Sequence, residues 1–239
     1  MKIETYAIEF SGLDAEPQYA AATTKGRSLW AVARGSGSDA ARRVISRLED
    51  LDLSGNAISD QSIEAVFGRF HAELEPARIA VSVAGAFSDE KNFTLFNIGN
   101  ARVLLFSEGY VVQHTDDHSG AYRAFAAEAG NSTTVIDAAY DRLRDQFPNN
   151  RPELWKALGF GSDARPQFYP PIPIRKNCSL LICTDTFWRY LSVIEMELDY
   201  RKAAGPAEWL NIMARRVLMK AGQELDNENF AAVAVMVEE

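Results

Sequence analysis

The chain changes its apolar period several times. "KIETYAIEF" (2–10) alternates apolar and polar positions, and "QYAAATT" (18–24) and "SLWAVAR" (28–34) are short apolar runs set off by the turn-rich "SGLDAEP" and "KGR". Three strands are predicted, arranged as an antiparallel meander. From Ser38 the period becomes helical: in "SDAARRVISRLEDL" Ala41, Val44, Ile45 and Leu48 share one face, with Ser38 or Asp39 as N-cap. After a polar loop, Ile63, Val66, Phe67, Phe70 and Leu74 give a second helix.

"RIAVSVAGAF", "NFTLFNIGN", "ARVLLFSEG" and "YVVQHTDD" then predict four strands in one continuous antiparallel sheet. Gly99-Asn100 and Glu108-Gly109 read as hairpin turns. Helix is predicted again within 119–147, with Ser132 as cap and Val135, Ile136, Ala139, Tyr140 and Leu143 as its stripe. The Pro- and Gly-rich "GFGSDARPQFYPPIPIRKN" reads as an irregular connection. An apolar strand ending "SLLIC", a helix over "PAEWLNIMARRVLMKAG" with Pro206 in its first turn, and a closing strand "NFAAVAVMVEE" follow. Runs of strands alternating with runs of helices, without a βαβ repeat, predict an α+β fold: two antiparallel sheets, each covered by a helix pair.

Composition narrows the function classes. The sequence has 239 residues, 47% of them hydrophobic, and no run near the roughly 18 apolar residues of a membrane span. The opening residues read as a strand and not as a signal peptide, so a cytoplasmic protein is expected, with no membrane partner. A net charge of −8 argues against binding nucleic acid, whose phosphates need clustered Lys and Arg. The two cysteines, Cys178 and Cys183, lack metal-ligand spacing and read as small buried thiols.

The stretch "LLICTDTFWRYLS" places one acid, Asp185, at the end of an apolar run and before an aromatic and basic cluster. It resembles the apolar strand, Ser-Asp-Gly and short helix of the metal-dependent protein phosphatase family (PPM, protein phosphatase 2C type). Four further stretches resemble that family in its order. They are "LWAVARGSGS" for Asp-Gly-His-Gly-Gly, "FNIGNARVLLFSEGYVVQHTDDHS" for Asn-x-Gly-Asp-Ser-Arg followed by Thr-x-Asp-His, "PELWKALGFG" for Leu-Thr-x-Ala-Leu-Gly, and "DNENFAAVAV" for Asp-Asn-x-Thr. The resemblance covers essentially the whole chain. It implies one phosphatase 2C-like domain over residues 1–239, a four-layer αββα sandwich, and an ancestral hydrolysis of phosphoserine and phosphothreonine by water held between two Mg²⁺ or Mn²⁺ ions.

Hard dications need several carboxylates. By the resemblance, Asp185 and Asp226 stand at family metal-ligand positions. The bridging aspartate is replaced by Arg34 and the neighbouring His by Ser36. The N-terminal acid falls on Gln18, with Asp14 at the phosphate-binding arginine and Tyr19 at the following acid, and the Gly-Asp acid is Asn100. A permanent guanidinium at the bridging position repels a dication and is expected to fork onto Asp185 or Asp226.

The expectation is therefore a pseudophosphatase with a degenerate metal site and no cofactor, acting on a protein partner: a phosphoprotein or a Ser/Thr kinase pathway. The alternative is an active Ser/Thr phosphatase that uses Mg²⁺ or Mn²⁺ in an atypical site, on Asp185 and Asp226 or on unaligned acids such as Asp14, Glu16, Asp89 or Asp117. A third class is an unrelated enzyme using Cys183 or His118. Arg34, Gly35, Ser36 and Gly37 form a candidate anion-binding turn. His114, Asp116, Asp117 and His118 are metal-ligand types, but the family carries a similar Thr-x-Asp-His as a structural loop ending. His71 reads as a surface or partly buried residue, and Phe187 to Tyr190 as helix-to-core packing or an interface.

Overall fold

The alternation of the first nine residues builds strand β1 (Lys2–Phe10), whose Ile3 and Ala7 face one way and whose Ile8 and Phe10 face the other. The computed structural model describes residues 2–11, 18–23, 28–36, 39–55, 57–129, 138, 153–161, 163–222 and 229–238. After β1 come β2 (Gln18–Ala22), β3 (Leu29–Ser36), α1 (Ala40–Leu53), α2 (Asp60–Leu74), β4 (Val81–Ser88), β5 (Asn92–Ile98), β6 (Arg102–Ser107) and β7 (Tyr110–His114). The rest of the chain gives α3 (Gly120–Ala129), β8 (Gln167–Phe168), β9 (Ile172–Pro173), β10 (Cys178–Cys183), α4 (Asp185–Tyr190), α5 (Val193–Lys202), α6 (Pro206–Ala221) and β11 (Phe230–Glu238).

Two antiparallel sheets result. One has the order β1-β11-β10-β6-β7, the other β2-β3-β4-β5-β8, with β9 also on β5. Their facing sides enclose Trp30, Val32, Leu95, Val103, Ile182 and Val235, among others. The outer face of the β3–β4 sheet packs α1 and α2 through Val44, Ile45, Phe67 and Phe70. The outer face of the β10–β11 sheet packs α4, α5 and α6 through Phe187, Met196, Trp209 and Val217. The predicted α+β sandwich of two helix-covered sheets is the observed architecture.

Two pairings differ from expectation. The first three strands are no meander: β1 pairs with β11, while β2 and β3 form a hairpin in the other sheet. Nor do β4 to β7 make one sheet. β4 and β5 belong to one sheet and β6 and β7 to the other. Glu108-Gly109 is the predicted hairpin, both residues at positive φ. Gly99-Asn100 is instead the crossing between sheets, because Ser82 ties it to the end of β4. The Ser82 hydroxyl donates to Asn100 Oδ1 at 2.9 Å and accepts from Asn100 N–H at 3.2 Å. Gly99 has φ +88°, and a Cβ there would lie 2.2 Å from Ser82 Oγ, so only glycine fits.

The Pro-rich connection is largely irregular, but β8 and β9 add to the edge of β5, where Pro173 is tolerated. Helix α5 was not anticipated. Its readable signal is the capping box of Ser192 and Glu195. The stripe from Val135 to Leu143 and the Ser132 cap lie outside the described residues, as does Ser38. Asp39, at the N-cap position of α1, makes no side-chain cap hydrogen bond.

Candidate functional site

Strand β10 is buried throughout, flanked by β6 and β11, which is why its sequence is a continuous apolar run with no alternation. Thr184 ends it. Its N–H donates to Ala231 O at 3.0 Å, and its Oγ1 accepts from Ala231 N–H at 3.2 Å. Thr186 Oγ1 donates to Asn229 O at 3.0 Å. These bonds place Asp185 as the first residue of α4, where the helix N-terminus favours a carboxylate.

Strand β3 supplies the opposing charge. Val32 faces the space between the sheets while Ala31 and Ala33 face α1, so Arg34, two residues after Val32, points into that space at the strand's end. Its Nη1 donates to Asp185 Oδ1 in a buried ion pair. Arg189 follows Asp185 by one helical turn and brings its Nη1 to 3.7 Å from Oδ2. Its guanidinium also stands 5.3 Å over the Tyr190 ring. Arg34, Asp185 and Arg189 are only 7%, 4% and 6% exposed, so solvent screens the cluster little.

Asn100 sits beside this cluster, since Ser82 is the register partner of Arg34. Its carbonyl accepts from Trp188 Nε1 at 2.9 Å. The Trp188 ring lies under the Arg102 guanidinium at 4.0 Å, and Arg102 forks onto Asp117 at 2.7 and 3.0 Å. Asp117 therefore serves as the buried anchor of Arg102.

The neighbouring histidines are also structural. His118 Nδ1 accepts from Gly99 N–H at 3.0 Å, and Nε2 lies 3.2 Å from Gln167 Oε1, which fixes the neutral ring with its proton on Nε2. Burial, followed by the charge of Lys156, holds its pKa down to about 4. His114 Nδ1 lies 2.9 Å from Thr115 O, an arrangement that makes it a donor. Asp116 takes the Tyr122 hydroxyl, and its N–H donates to Tyr169 Oη at 2.6 Å. His71 is half-buried, and its Nδ1 accepts from Gly159 N–H at 3.1 Å. Complete burial pushes the Cys183 thiol far up, which leaves it no thiolate to attack with.

The structure thus brings Arg34 and Asp185 together and sets Asn100 next to them. Gln18 lies in β2, opposite Ser36. Asp226, Asp14, Glu16 and Gly37 lie outside the described residues. The expected anion-binding turn is corrected in part: Gly35 and Ser36 continue β3 and pair with Tyr19 and Gln18, so neither belongs to an open turn. Gly35 is required there because a Cβ would come 2.8 Å from Val81 Cγ2.

Among the described residues, Asp185 is paired with Arg34 and approached by Arg189, and Asn100 offers an amide oxygen that accepts from Ser82, so the donors around Asp185 are poorer in negative charge than a pair of divalent ions calls for. Among the described residues no three His, Cys, Asp or Glu side chains gather closely enough to hold a metal ion.

The architecture is that of the metal-dependent Ser/Thr phosphatases. The chain superposes on the catalytic domain of the serine/threonine phosphatase PstP in complex with 2 manganese ions with a TM-score of 0.76, at 18% identity over 99% of each chain. Similar matches are the PPM Ser-Thr phosphatase MsPP from Mycobacterium smegmatis, in complex with cacodylate (0.74, 20% identity, 98% of each chain), and Stp1 from Staphylococcus aureus (0.78, 14% identity, 100% of this chain and 96% of that one). No protein-family model matches the chain, and no curated protein matches it in sequence.

Proposed function

We propose that this chain is a pseudophosphatase, a protein with the PPM fold that acts by binding and not by hydrolysis, on a phosphoprotein or within a Ser/Thr kinase pathway. The observation that carries the reading is the buried ion pair of Arg34 with Asp185. A water becomes a nucleophile at neutral pH when a metal lowers its pKa, and a fixed guanidinium at that point disfavours the metal without supplying the same polarisation. The fold shared with a Mn²⁺-bound phosphatase supports descent from that chemistry. Recognition of a protein needs only the surface that the fold presents.

Calorimetric titration with Mn²⁺, followed by a p-nitrophenyl phosphate assay in the same buffer, tests this. A flat isotherm without turnover is expected. Saturable binding with turnover that is lost in Asp185→Asn would establish the competing reading, an active Mg²⁺- or Mn²⁺-dependent Ser/Thr phosphatase. The position of Asp185, at the first turn of α4 directly after a central strand, is the observation in favour of that reading.

A further inference from the structure

The length of the sandwich is held by apolar contact between its sheets, but at its mouth polar strand ends meet. Arg34 reaches in from the β3 end of one sheet, and Asp185 stands at the β10–α4 turn of the other. Their ion pair joins residues 151 positions apart and ties the sheets together. Arg189 closes on the same carboxylate from one turn further along α4. The turn so held carries Trp188, which bonds Asn100 at the crossing between sheets and covers the Arg102–Asp117 pair.

We infer that Arg34 is a fixed internal cation that clamps the two sheets at the mouth of the sandwich, so that the fold there is preformed without divalent ions. Where carboxylates from both sheets face one another, a bound dication supplies this tie and its removal loosens the structure. A guanidinium built into the chain supplies it through an ion pair, keeps its charge at any pH the protein meets, and cannot be chelated. The inference rests on the reading of the site as metal-free and extends it from loss of chemistry to a gain: ion-independent order at the mouth of the sandwich.

A double-mutant cycle tests it, with Arg34→Gln, Asp185→Asn and the double variant melted in EDTA and in millimolar MnCl₂. The wild type is expected to melt at one temperature in both buffers. Each single variant should lose roughly 6 °C or more, because it breaks a buried ion pair from one side only. The double variant should lose less than the sum. Arg34→Lys, which keeps the charge but not the reach and planarity of the guanidinium, should fall between wild type and Arg34→Gln. A wild-type melting temperature that rises with Mn²⁺, or additive single losses, would overturn the inference. Should a single variant not fold, Arg34→Lys and the wild-type comparison still decide. Turnover of p-nitrophenyl phosphate in the same samples separates the two readings. Coupled, ion-independent melting with turnover keeps the clamp and overturns the pseudophosphatase. Additive melting without turnover does the reverse.

Discussion

Arg34 and Asp185 form a buried ion pair across the two sheets, the arginine from the end of β3 and the aspartate from the first turn after β10. Its two partners come from different layers, so each is held by the packing of its own sheet.

Replacing that cation with an acid should change which ions the mouth accepts. Arg34→Asp replaces a cation beside Asp185 with a second carboxylate, and ligand charge governs dication affinity. The variant is expected to bind Mn²⁺ at least about tenfold more tightly than the wild type by calorimetry. Equal isotherms would place the decisive charges elsewhere.

Arg102→Ala should be more damaging than most surface changes. It takes both guanidinium hydrogen bonds from the buried carboxylate of Asp117, 3% exposed, and removes the cation over Trp188. A loss of roughly 3–5 kcal/mol is expected in urea unfolding.

His118 makes stability depend on pH. Its folded pKa, about 4, lies below the ordinary 6.5, so the folded state prefers the neutral ring and the unfolded chain binds more protons between those values. Stability from this residue is complete above pH 6.5 and falls as the pH drops towards 4, by about 3 kcal/mol at most. Asn in its place can still accept from Gly99 N–H and does not titrate. His118→Asn should therefore flatten the pH dependence of denaturant midpoints across that window, and an unchanged slope would refute the assignment.

Gly99→Ala should test the crossing between sheets. The positive φ and the close Ser82 side chain together are expected to cost about 2 kcal/mol or more, seen as a lowered melting temperature. Gly55, also at positive φ but with nothing within 4 Å of its missing Cβ, is the control, and Gly55→Ala should cost less.

Neither cysteine should react with a thiol reagent in the native state, since burial raises both pKa values. Labelling should track unfolding in denaturant. Rapid native labelling of Cys183 would reopen the cysteine-enzyme reading.

Much of this was legible in the sequence. The helical faces of α1 and α2 carry the residues that their 3.6 period picks out, and "SLLIC" announced a strand buried on both sides. Asp185 stood out as one acid at the end of an apolar run, and the family resemblance put Arg34 at the bridging position and suggested that the two meet. The roles of Asp117 and His118 were less legible: residue types that ligate metals also anchor arginines and accept backbone N–H bonds, and only the partners decide which.

The sequence by itself determined the strands, the principal helices and their order, because hydrophobic period and turn chemistry act over a few residues. Only the tertiary structure decided which sheet each strand joined. An alternating strand fits either sheet equally well, and Gly99-Asn100 looks like a hairpin turn until Ser82, far away in the chain, pins it as a crossing. That choice placed β3 and β10 on facing layers, and with them the two charges that meet at the mouth.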